Sequence, residues 1–376
     1  MKIENKAKEL QKKLHAIKER ADSVLKAYRD SSTYTISDSK GSVKDYKYFL
    51  YPFKNFSDTN PKDEEFIAKS LAHFINKDVD YLVTFEADGI GITKLISVLT
   101  GIPMLVCKPF HYNQQVISFS QKTGYFDRLM YCPQLIKGKK IAIVDCIVST
   151  GGTVQGLLKS ISELDEKVEV EGIYAVVNKT NYQSGEDLFD GLKYKYLFNV
   201  KIDDEGKVVS AISDNFRDSY WTEVNSNIMN FTRDLAKLSD LSRNDFLVGA
   251  TLVDDVTLDV LGWGCKGPQK HAEANAIEMA KSRGSISDRV LVMYTTLEPC
   301  VYRNIAGMTS CSSLILEIPE IKWVVIDQRD DLDPKNFHEG IEALKNGGRY
   351  VVCFEDHPSI ALNYDPSLSK QVAFSN

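Results

Sequence analysis

The stretch HAEANAIEMA at residues 271–280, together with LEPC at 297–300 and Cys311, decides the fold of the second half of this chain. Residues 271–280 are strong helix formers with apolar positions at helical spacing. Residues 290–295, VLVMYT, form a short apolar run that is typical of a buried strand. The pattern therefore predicts a helix, then a strand whose end carries Cys300, then a second helix that begins near Cys311.

This stretch offers three metal ligands, His271, Cys300 and Cys311, with Glu273 two residues from the first of them. A structural zinc site is usually closed by four protein ligands, whereas a catalytic one keeps three and leaves a position for water. Zinc lowers the pKa of such a water from about 15.7 toward 7. A carboxylate that is not a ligand can then move protons, so we assign Glu273 as the catalytic acid and base. The alternative is that the cysteines are small buried apolar residues or close a structural site.

Length and composition set the class of protein. The 376 residues suggest two or three domains, and 43% hydrophobic with 26% charged residues is ordinary for a globular chain. The sequence has no apolar run of roughly 18 residues, so no membrane helix is expected, and the N-terminus lacks the apolar core of a signal peptide. Seven cysteines, two of them assigned to a metal, indicate a reducing, cytoplasmic location. A net charge of −6 gives no general attraction for nucleic acid.

Hydrophobic periodicity predicts two α/β domains. Residues 3–29 form an amphipathic packing or oligomerisation helix. The following region alternates strands at 80–85, 103–107, 140–145 and 172–177 with helices at 64–76, 91–100 and 153–164, which predicts a parallel sheet. The predicted division is 1–46 for an N-terminal helix and loop, 47–202 for the first domain, 203–224 for a connector, 225–360 for the zinc domain and 361–376 for a tail.

Residues 141–153, IAIVDCIVSTGGT, place an apolar strand before a glycine turn and a helix. Glycines allow the backbone to bend around a phosphate, and the N–H groups of a helix start can hold its oxygens. The candidate phosphate and ribose ligands are Asp145, Ser149, Thr150, Gly151, Gly152 and Thr153. Asp145, at the strand end, is placed to accept hydrogen bonds from ribose hydroxyls. The alternative is a glycine turn without a ligand.

This stretch resembles the motif that binds phosphoribosyl diphosphate (PRPP) in type I phosphoribosyltransferases, with the adenine-type enzymes nearest, over about residues 47–200. The resemblance implies PRPP with Mg²⁺, a hood at 112–131, and a basic residue, Lys108, after the second strand. It also implies a pyrophosphate loop formed by Glu86, Ala87, Asp88 and Gly89.

Two positions depart from that family. Cys146 stands where a second acid is usual, and Asp88 stands where the adenine-type loop usually has a basic residue. Coulomb repulsion between Asp88 and a diphosphate costs on the order of 1 kcal/mol or more at a partly desolvated site. The first domain is therefore expected either to transfer phosphoribose, or to bind a nucleotide 5′-phosphate or break an N-glycosidic bond without making one.

Residues 225–355 resemble the cytidine-deaminase-like superfamily, with the pyrimidine deaminase of riboflavin synthesis nearest. The resemblance rests on HAEANAI, TLEPC, Val248-Gly249-Ala250, Gly262-Trp263-Gly264, Asp331-Leu332-Asp333-Pro334 and Gly340-Ile341-Glu342-Ala343-Leu344. It implies a three-layer α/β/α domain, zinc on His271, Cys300 and Cys311, Glu273 as proton shuttle, and a pocket mouth shaped by 301–310. Asn244 or Asp245 would read the substrate, and Trp263 would stack on a base or belong to the core.

Three functions remain open. The first is a zinc deaminase of a pyrimidine- or purine-like base, nucleoside or nucleotide, coupled to a domain that transfers or recognises phosphoribose. In the second, the first domain is an inactive PRPP or nucleotide sensor that regulates the deaminase. The third is a nucleic-acid editing deaminase, which would need a basic channel lined with aromatic residues. We also expect the protein to act on small molecules, without a membrane or nucleic-acid partner. By analogy with both families, we expect it to form a homo-oligomer.

Overall fold

The computed structural model describes residues 2–36, 46–50, 60–123, 127–179, 186–239, 246–284, 286–302, 309–330 and 339–354. The chain divides into two compact units, Arg20–Ser219 and a second unit made of Met1–Glu19 and Tyr220–Asn376. The prediction of two α/β domains is confirmed. Among the described residues, no helix combines the length and the apolar character needed to cross a bilayer.

The first unit begins within helix α1 (Lys2–Arg29) and ends within helix α5 (Asp214–Ala236). Between them lie β1 (Thr33–Ile36), β2 (Tyr46–Phe49), α2 (Pro61–Ala72), β3 (Tyr81–Phe85), α3 (Gly89–Thr100), β4 (Met104–Cys107), β5 (Val116–Lys122), β6 (Asp127–Pro133), β7 (Lys140–Val148), α4 (Gly152–Ser162), β8 (Glu169–Lys179), β9 (Tyr194–Ile202) and β10 (Val208–Ile212). Two short 3₁₀ helices, Gln134–Ile136 and Glu186–Phe189, join them.

Six strands of this unit form one sheet in the order β10-β9-β8-β7-β3-β4, and only β10 runs antiparallel to its neighbour. The central strands β7 and β8 are buried along most of their length, because helices or the β5–β6 hairpin cover both faces of a parallel sheet. Since β3 and β7 are adjacent and parallel, the loops that follow them lie at the same edge. That edge brings residues 86–89 and 149–153 together.

Three connecting segments contain secondary structure that the sequence did not predict. The predicted loop 31–46 contains β1, the hood 112–131 contains β5 and most of β6, and the connector 203–224 contains β10 and the start of α5. These strands lie in two-stranded sheets or at a sheet edge, where one face is exposed and polar residues are tolerated. In β10, for example, Val208 is buried while Val209 is half exposed. Their apolar signal is therefore too weak to mark a strand.

The second unit contains a five-stranded sheet in the order β12-β11-β13-β14-β15, with β13, β14 and β15 parallel. Its strands are β11 (Gly249–Asp254), β12 (Val260–Cys265), β13 (Leu291–Leu297), β14 (Ile321–Gln328) and β15 (Tyr350–Cys353), and its further helices are α6 (Ala272–Arg283), α7 (Cys311–Leu316) and α8 (Glu339–Asn346).

Helices cover both faces of this sheet. Residues of α6, α7 and α8, among them Ala276, Ile315 and Leu344, share one apolar core with β11, β13 and β14. On the opposite face, the hydroxyls of Thr232 in α5 and Thr251 in β11 lie 2.8 Å apart. The predicted three-layer α/β/α arrangement is confirmed. It places the starts of α6 and α7 at the carboxyl end of β13 on the same face.

Candidate functional site

The second unit brings the predicted His/Cys/Cys set together. His271 is the N-cap of α6, Cys300 follows the carboxyl end of β13, and Cys311 is the first residue of α7. One ligand atom from each lies within 4.8 Å of the other two. Positions up to 40 residues apart in sequence therefore converge, because two helices begin beside the end of one strand.

The spacing of these atoms fits a zinc ion. Zinc–sulfur and zinc–nitrogen bonds of about 2.3 and 2.05 Å in a tetrahedron put sulfur and nitrogen ligands roughly 3.6 Å apart. His271 Nδ1 lies 3.3 Å from Cys311 Sγ and 3.5 Å from Cys300 Sγ. One imidazole and two thiols are also a donor set that zinc prefers. The residues present thus fit the metal.

The two thiols differ in acidity. The pKa of Cys300 is lowered to about 4, chiefly by the hydrogen bond from the Cys311 thiol and then by His271. The backbone N–H of Cys311 also points to Cys300 Sγ at 3.5 Å. The same thiol pair raises the pKa of Cys311, and burial adds to that rise. Cys300 is therefore the more acidic of the two thiols, and thiolate is the form in which a cysteine binds a metal.

Glu273 lies directly beside this set. Its side chain is buried, and its Oε2 accepts a hydrogen bond of 3.3 Å from the Cys311 thiol. Burial is the largest cause that raises its pKa above the ordinary glutamate value. The arrangement places a buried carboxylate next to the ligand atoms without making it one of the three.

Glu298 supports the cluster and was not predicted from the sequence. Its buried carboxylate accepts hydrogen bonds from the N–H groups of Ile341 at 3.0 Å and Asp330 at 3.2 Å. Ser312 Oγ also donates to the Pro299 carbonyl at 3.0 Å. The loop that carries Cys300 is thus tied both to the start of α8 and to α7. The signal in the sequence is the acid Glu298 directly before Pro299-Cys300, at the end of an apolar strand.

The structure separates Trp263 from the metal cluster. Trp263 pairs across strands with Thr251, whose side chain faces α5, so its indole lies on the face opposite α6. One face of the ring is covered by the Arg283 guanidinium at 4.0 Å, and Phe231 packs against it edge-on. Asn244, Asp245, most of the predicted pocket loop (303–308) and Asp331–Pro334 lie outside the described residues.

In the first unit, the predicted phosphate loop stands at the start of α4. Gly151 has a φ of +74°, a conformation that favours glycine, and it precedes the first helical residue. A Cβ on Gly152 would lie 2.1 Å from the Lys122 carbonyl of β5, so only glycine fits there. Thr150 Oγ1 accepts from the Gly152 N–H at 3.4 Å. The double glycine therefore serves the close approach of β5 as well as the turn.

Asp145 lies beside the predicted pyrophosphate loop. A Cβ built on Gly89 would lie 3.0 Å from Asp145 Oδ1, which shows how closely the two loops meet. The pKa of Asp145 is raised to about 7, first by burial and then by the charge of Asp88. The charge of Asp88 therefore reaches Asp145 across the two loops. Neighbouring Cys146 is buried, and its thiol donates to the Asp88 carbonyl at 2.9 Å.

The remaining loop residues are placed as follows. The Glu86–Ala87 peptide bond is cis. Lys108 pairs through its backbone with Tyr131, and its Nζ lies 5.5 Å from the centre of the Phe110 ring. Ser149 is partly buried at the carboxyl end of β7.

Two polar residues of the β5–β6 hairpin join this site and were missed. Gln121 is buried and donates to Thr153 Oγ1 at 3.1 Å, while Arg128 donates to Gln121 Oε1 at 2.6 Å and to the Glu86 carbonyl at 3.3 Å. The signal was Gln121 itself, because it occupies the buried position of the alternating pattern that Ile117 and Phe119 begin.

Known proteins are similar to each of the two units. The profile of the cytidine and deoxycytidylate deaminase zinc-binding region matches residues 222–327, which include His271, Glu273, Cys300 and Cys311. A hypoxanthine/guanine phosphoribosyltransferase of Methanosalsum zhilinae is 34% identical over 178 residues, or 46% of this chain and 90% of that protein.

Two solved structures are also similar. A diaminohydroxyphosphoribosylaminopyrimidine deaminase/5-amino-6-(5-phosphoribosylamino)uracil reductase from Thermotoga maritima is 31% identical, with a TM-score of 0.31, and the match covers 35% of this chain and 36% of that one. An adenine phosphoribosyltransferase from Thermoanaerobacter pseudethanolicus is 18% identical, with a TM-score of 0.35, and the match covers 43% of this chain and 92% of that one.

The resemblances predicted from the sequence are thereby confirmed. Over the residues that it shares with the relative from Methanosalsum zhilinae, the chain belongs to the family of hypoxanthine/guanine phosphoribosyltransferases, and residues 222–327 match the zinc-binding region of cytidine and deoxycytidylate deaminases.

Proposed function

We propose that this chain is a zinc-dependent hydrolytic deaminase of a pyrimidine- or purine-like base, nucleoside or nucleotide, whose first unit transfers or recognises phosphoribose. The observation that carries the proposal is the cluster of His271, Cys300 and Cys311 with Glu273 beside it. Three ligands with an adjacent buried carboxylate are typical of catalytic zinc sites rather than structural ones.

The proposed chemistry divides between metal and protein. Zinc, when bound by His271, Cys300 and Cys311, supplies a water acidified to near neutral pKa. The Glu273 carboxylate would accept a proton from the attacking water and donate it to the amine, so that a C–O bond forms, the C–N bond breaks and ammonia leaves. Glu298 holds the Cys300 loop in place through its two backbone hydrogen bonds.

For the first unit, the proposal rests on the two loops that meet at one edge of the parallel sheet. In this proposal the backbone N–H groups at the start of α4 bind the 5′-phosphate, and Asp145 accepts hydrogen bonds from the ribose hydroxyls. The closeness of Gly89 to Asp145 and the glycine turn before α4 support it. The relative from Methanosalsum zhilinae is named a phosphoribosyltransferase, and the match covers 90% of its length. Mg²⁺ as companion of PRPP, a homo-oligomer and a cytoplasmic location stay predictions.

A second candidate for this unit is recognition of PRPP or a nucleotide without transfer, as a sensor that regulates the deaminase. The departures at Cys146 and Asp88 favour it, because a carboxylate in the pyrophosphate loop weakens the binding of a diphosphate. Calorimetry with PRPP, paired with a base-exchange assay, separates the candidates. Tight binding without exchange supports the sensor, and exchange supports the transferase.

The deaminase assignment is tested by ammonia release from free bases, nucleosides, nucleotides and single-stranded RNA, with and without PRPP. We expect Glu273→Gln to retain zinc and lose about 10²-fold or more in turnover, since a general acid and base contributes about that much. Cys300→Ser is expected to lose zinc and turnover together, because it removes one of three ligands. Zinc content is measured by elemental analysis of the same samples.

Matched controls come from the same unit. Glu278→Gln changes an exposed acid of α6 that pairs with Lys270, and Cys265→Ser changes a cysteine outside the cluster. Both are expected to keep zinc and turnover near the unmodified level. Near-normal turnover in Glu273→Gln, or full zinc content in Cys300→Ser, would refute the assigned roles. Release of ammonia from RNA alone would favour the editing function instead.

A further inference from the structure

A short chain of hydrogen bonds connects the 86–89 loop to the start of α4 through the β5–β6 hairpin. Arg128 on β6 donates from Nη2 to the Glu86 carbonyl at 3.3 Å and from Nε to Gln121 Oε1 at 2.6 Å. Gln121 on β5 then donates from Nε2 to Thr153 Oγ1 at 3.1 Å. The guanidinium therefore lies between the two loops that we propose as the phosphoribose site.

The orientation of each group in this chain is determined. Gln121 is 5% exposed, and it uses its carbonyl toward Arg128 and its amide toward Thr153. Because two bonds at different nitrogens hold a planar guanidinium, Arg128 has a defined plane next to the loop. Thr153 Oγ1 accepts from Gln121, so its own hydroxyl hydrogen is directed elsewhere. A preorganised cation of this kind suits the paired oxygens of phosphate groups.

A diphosphate at this site needs a nearby cation, because the 86–89 loop itself carries a carboxylate. Asp88 puts a negative charge in the 86–89 loop, and that charge is among the causes that raise the pKa of the neighbouring Asp145. The nearby lysine of the hairpin, Lys122, is largely exposed, and its Nζ lies 4.0 Å from Asp127. Lys108 directs its ammonium over Phe110. Arg128, in contrast, hydrogen-bonds directly to the loop backbone.

We propose that Arg128 is the residue that binds the diphosphate oxygens of a phosphoribosyl diphosphate ligand, in the role that Asp88 cannot fill. The inference rests on the proposed function of the first unit. It assigns the diphosphate end of the ligand to the Glu86–Arg128 side and the 5′-phosphate end to Thr153 and the start of α4. Lysine would serve less well there, because only the guanidinium can donate to two oxygens in one plane while keeping its bond to Gln121.

The test is isothermal calorimetry on the full chain with two probes, inorganic pyrophosphate and ribose 5-phosphate. Arg128→Gln is expected to weaken pyrophosphate binding about ten-fold or more, as loss of a charge-assisted hydrogen bond does. Binding of ribose 5-phosphate is expected to change less than about two-fold. Arg128→Lys is expected to lie between the unmodified chain and Arg128→Gln. Lys122→Gln removes a charge from the same hairpin and is expected to leave both affinities unchanged.

A rescue variant separates binding from support of the fold. Asp88→Arg in the Arg128→Gln background is expected to regain about ten-fold in pyrophosphate affinity, since it restores a cation to the loop. Unchanged pyrophosphate affinity in Arg128→Gln, with ribose 5-phosphate still bound, would overturn this inference and leave the proposed function intact. Equal loss for both probes together with a lower melting temperature would assign Arg128 a structural role and also overturn it. If the unmodified chain binds neither probe, the proposed function of the unit fails as well.

Discussion

The carboxyl group of Asp145 couples the chemistry of the first unit to its stability. Its pKa is raised from the model-compound value of 3.8 to about 7, because burial disfavours the charged form and Asp88 adds a like charge. The folded state therefore binds more protons than the unfolded state between about pH 4 and 7. Stability contributed by this group is present at low pH and is lost as the pH rises through 7.

Asp145→Asn tests that coupling. The unmodified protein is expected to lose roughly 1 to 2 kcal/mol of unfolding free energy between pH 5 and pH 8 through this residue. The asparagine variant lacks that contribution, so its unfolding free energy is expected to decline less over the same range. Urea unfolding at both pH values measures the difference. An identical decline in both proteins would mean that Asp145 titrates normally.

Sequence patterns predicted the set His271, Cys300 and Cys311, which the structure brings together, but not the residues that support it. His271 and Glu273 share a helix start, and Cys300 follows a strand, so local patterns were enough to predict all three. Glu298 and Arg128 act through partners 43 and 42 residues away. Local periodicity carries no information on such contacts, and a buried polar residue in an apolar pattern is only a weak indication of them.

At the scale of elements, the packing of β5 against α4 depends on glycine. A Cβ on Gly156 would lie 2.1 Å from the Ser120 carbonyl, and backbone cannot move aside cheaply. Gly156→Ala is therefore expected to destabilise the protein by about 1 to 3 kcal/mol through overpacking. Gly91→Ala in α3 is the matched control, because nothing lies within 4 Å of its Cβ position. It is expected to be neutral or to stabilise by up to about 1 kcal/mol.

Urea unfolding of the two variants measures the contrast. A neutral Gly156→Ala variant would show that the hairpin does not need to lie against α4.

The sequence predicted the strands of the main sheet better than the shorter strands around it. Buried strands such as β7 and β8 are long apolar runs, whereas β1 and β10 are short and lie away from the sheet centre, so turn and pairing contacts decide them rather than hydrophobicity.

For the whole molecule, the two candidate sites belong to different compact units. The metal cluster lies in the unit of Met1–Glu19 and Tyr220–Asn376, and both phosphate-site loops lie in Arg20–Ser219. We expect each ligand to stabilise mainly the unit that binds it. Pyrophosphate at 100 times its Kd stabilises its unit by about 2.7 kcal/mol, which slows amide exchange up to about 100-fold where exchange requires unfolding.

Hydrogen exchange read by mass spectrometry distinguishes this expectation from a regulated deaminase. Pyrophosphate is expected to protect peptides of β3, β7 and α4 and to leave those of α6 and α7 unchanged, while chelation of zinc is expected to do the reverse and expose α6 and α7. Independent units would indicate that the two reactions share a metabolite rather than an allosteric signal. Protection of α6 and α7 by pyrophosphate would instead reveal a coupling free energy between the sites, and the sensor function would then be favoured, because only a ligand that binds one state of the deaminase better can regulate it.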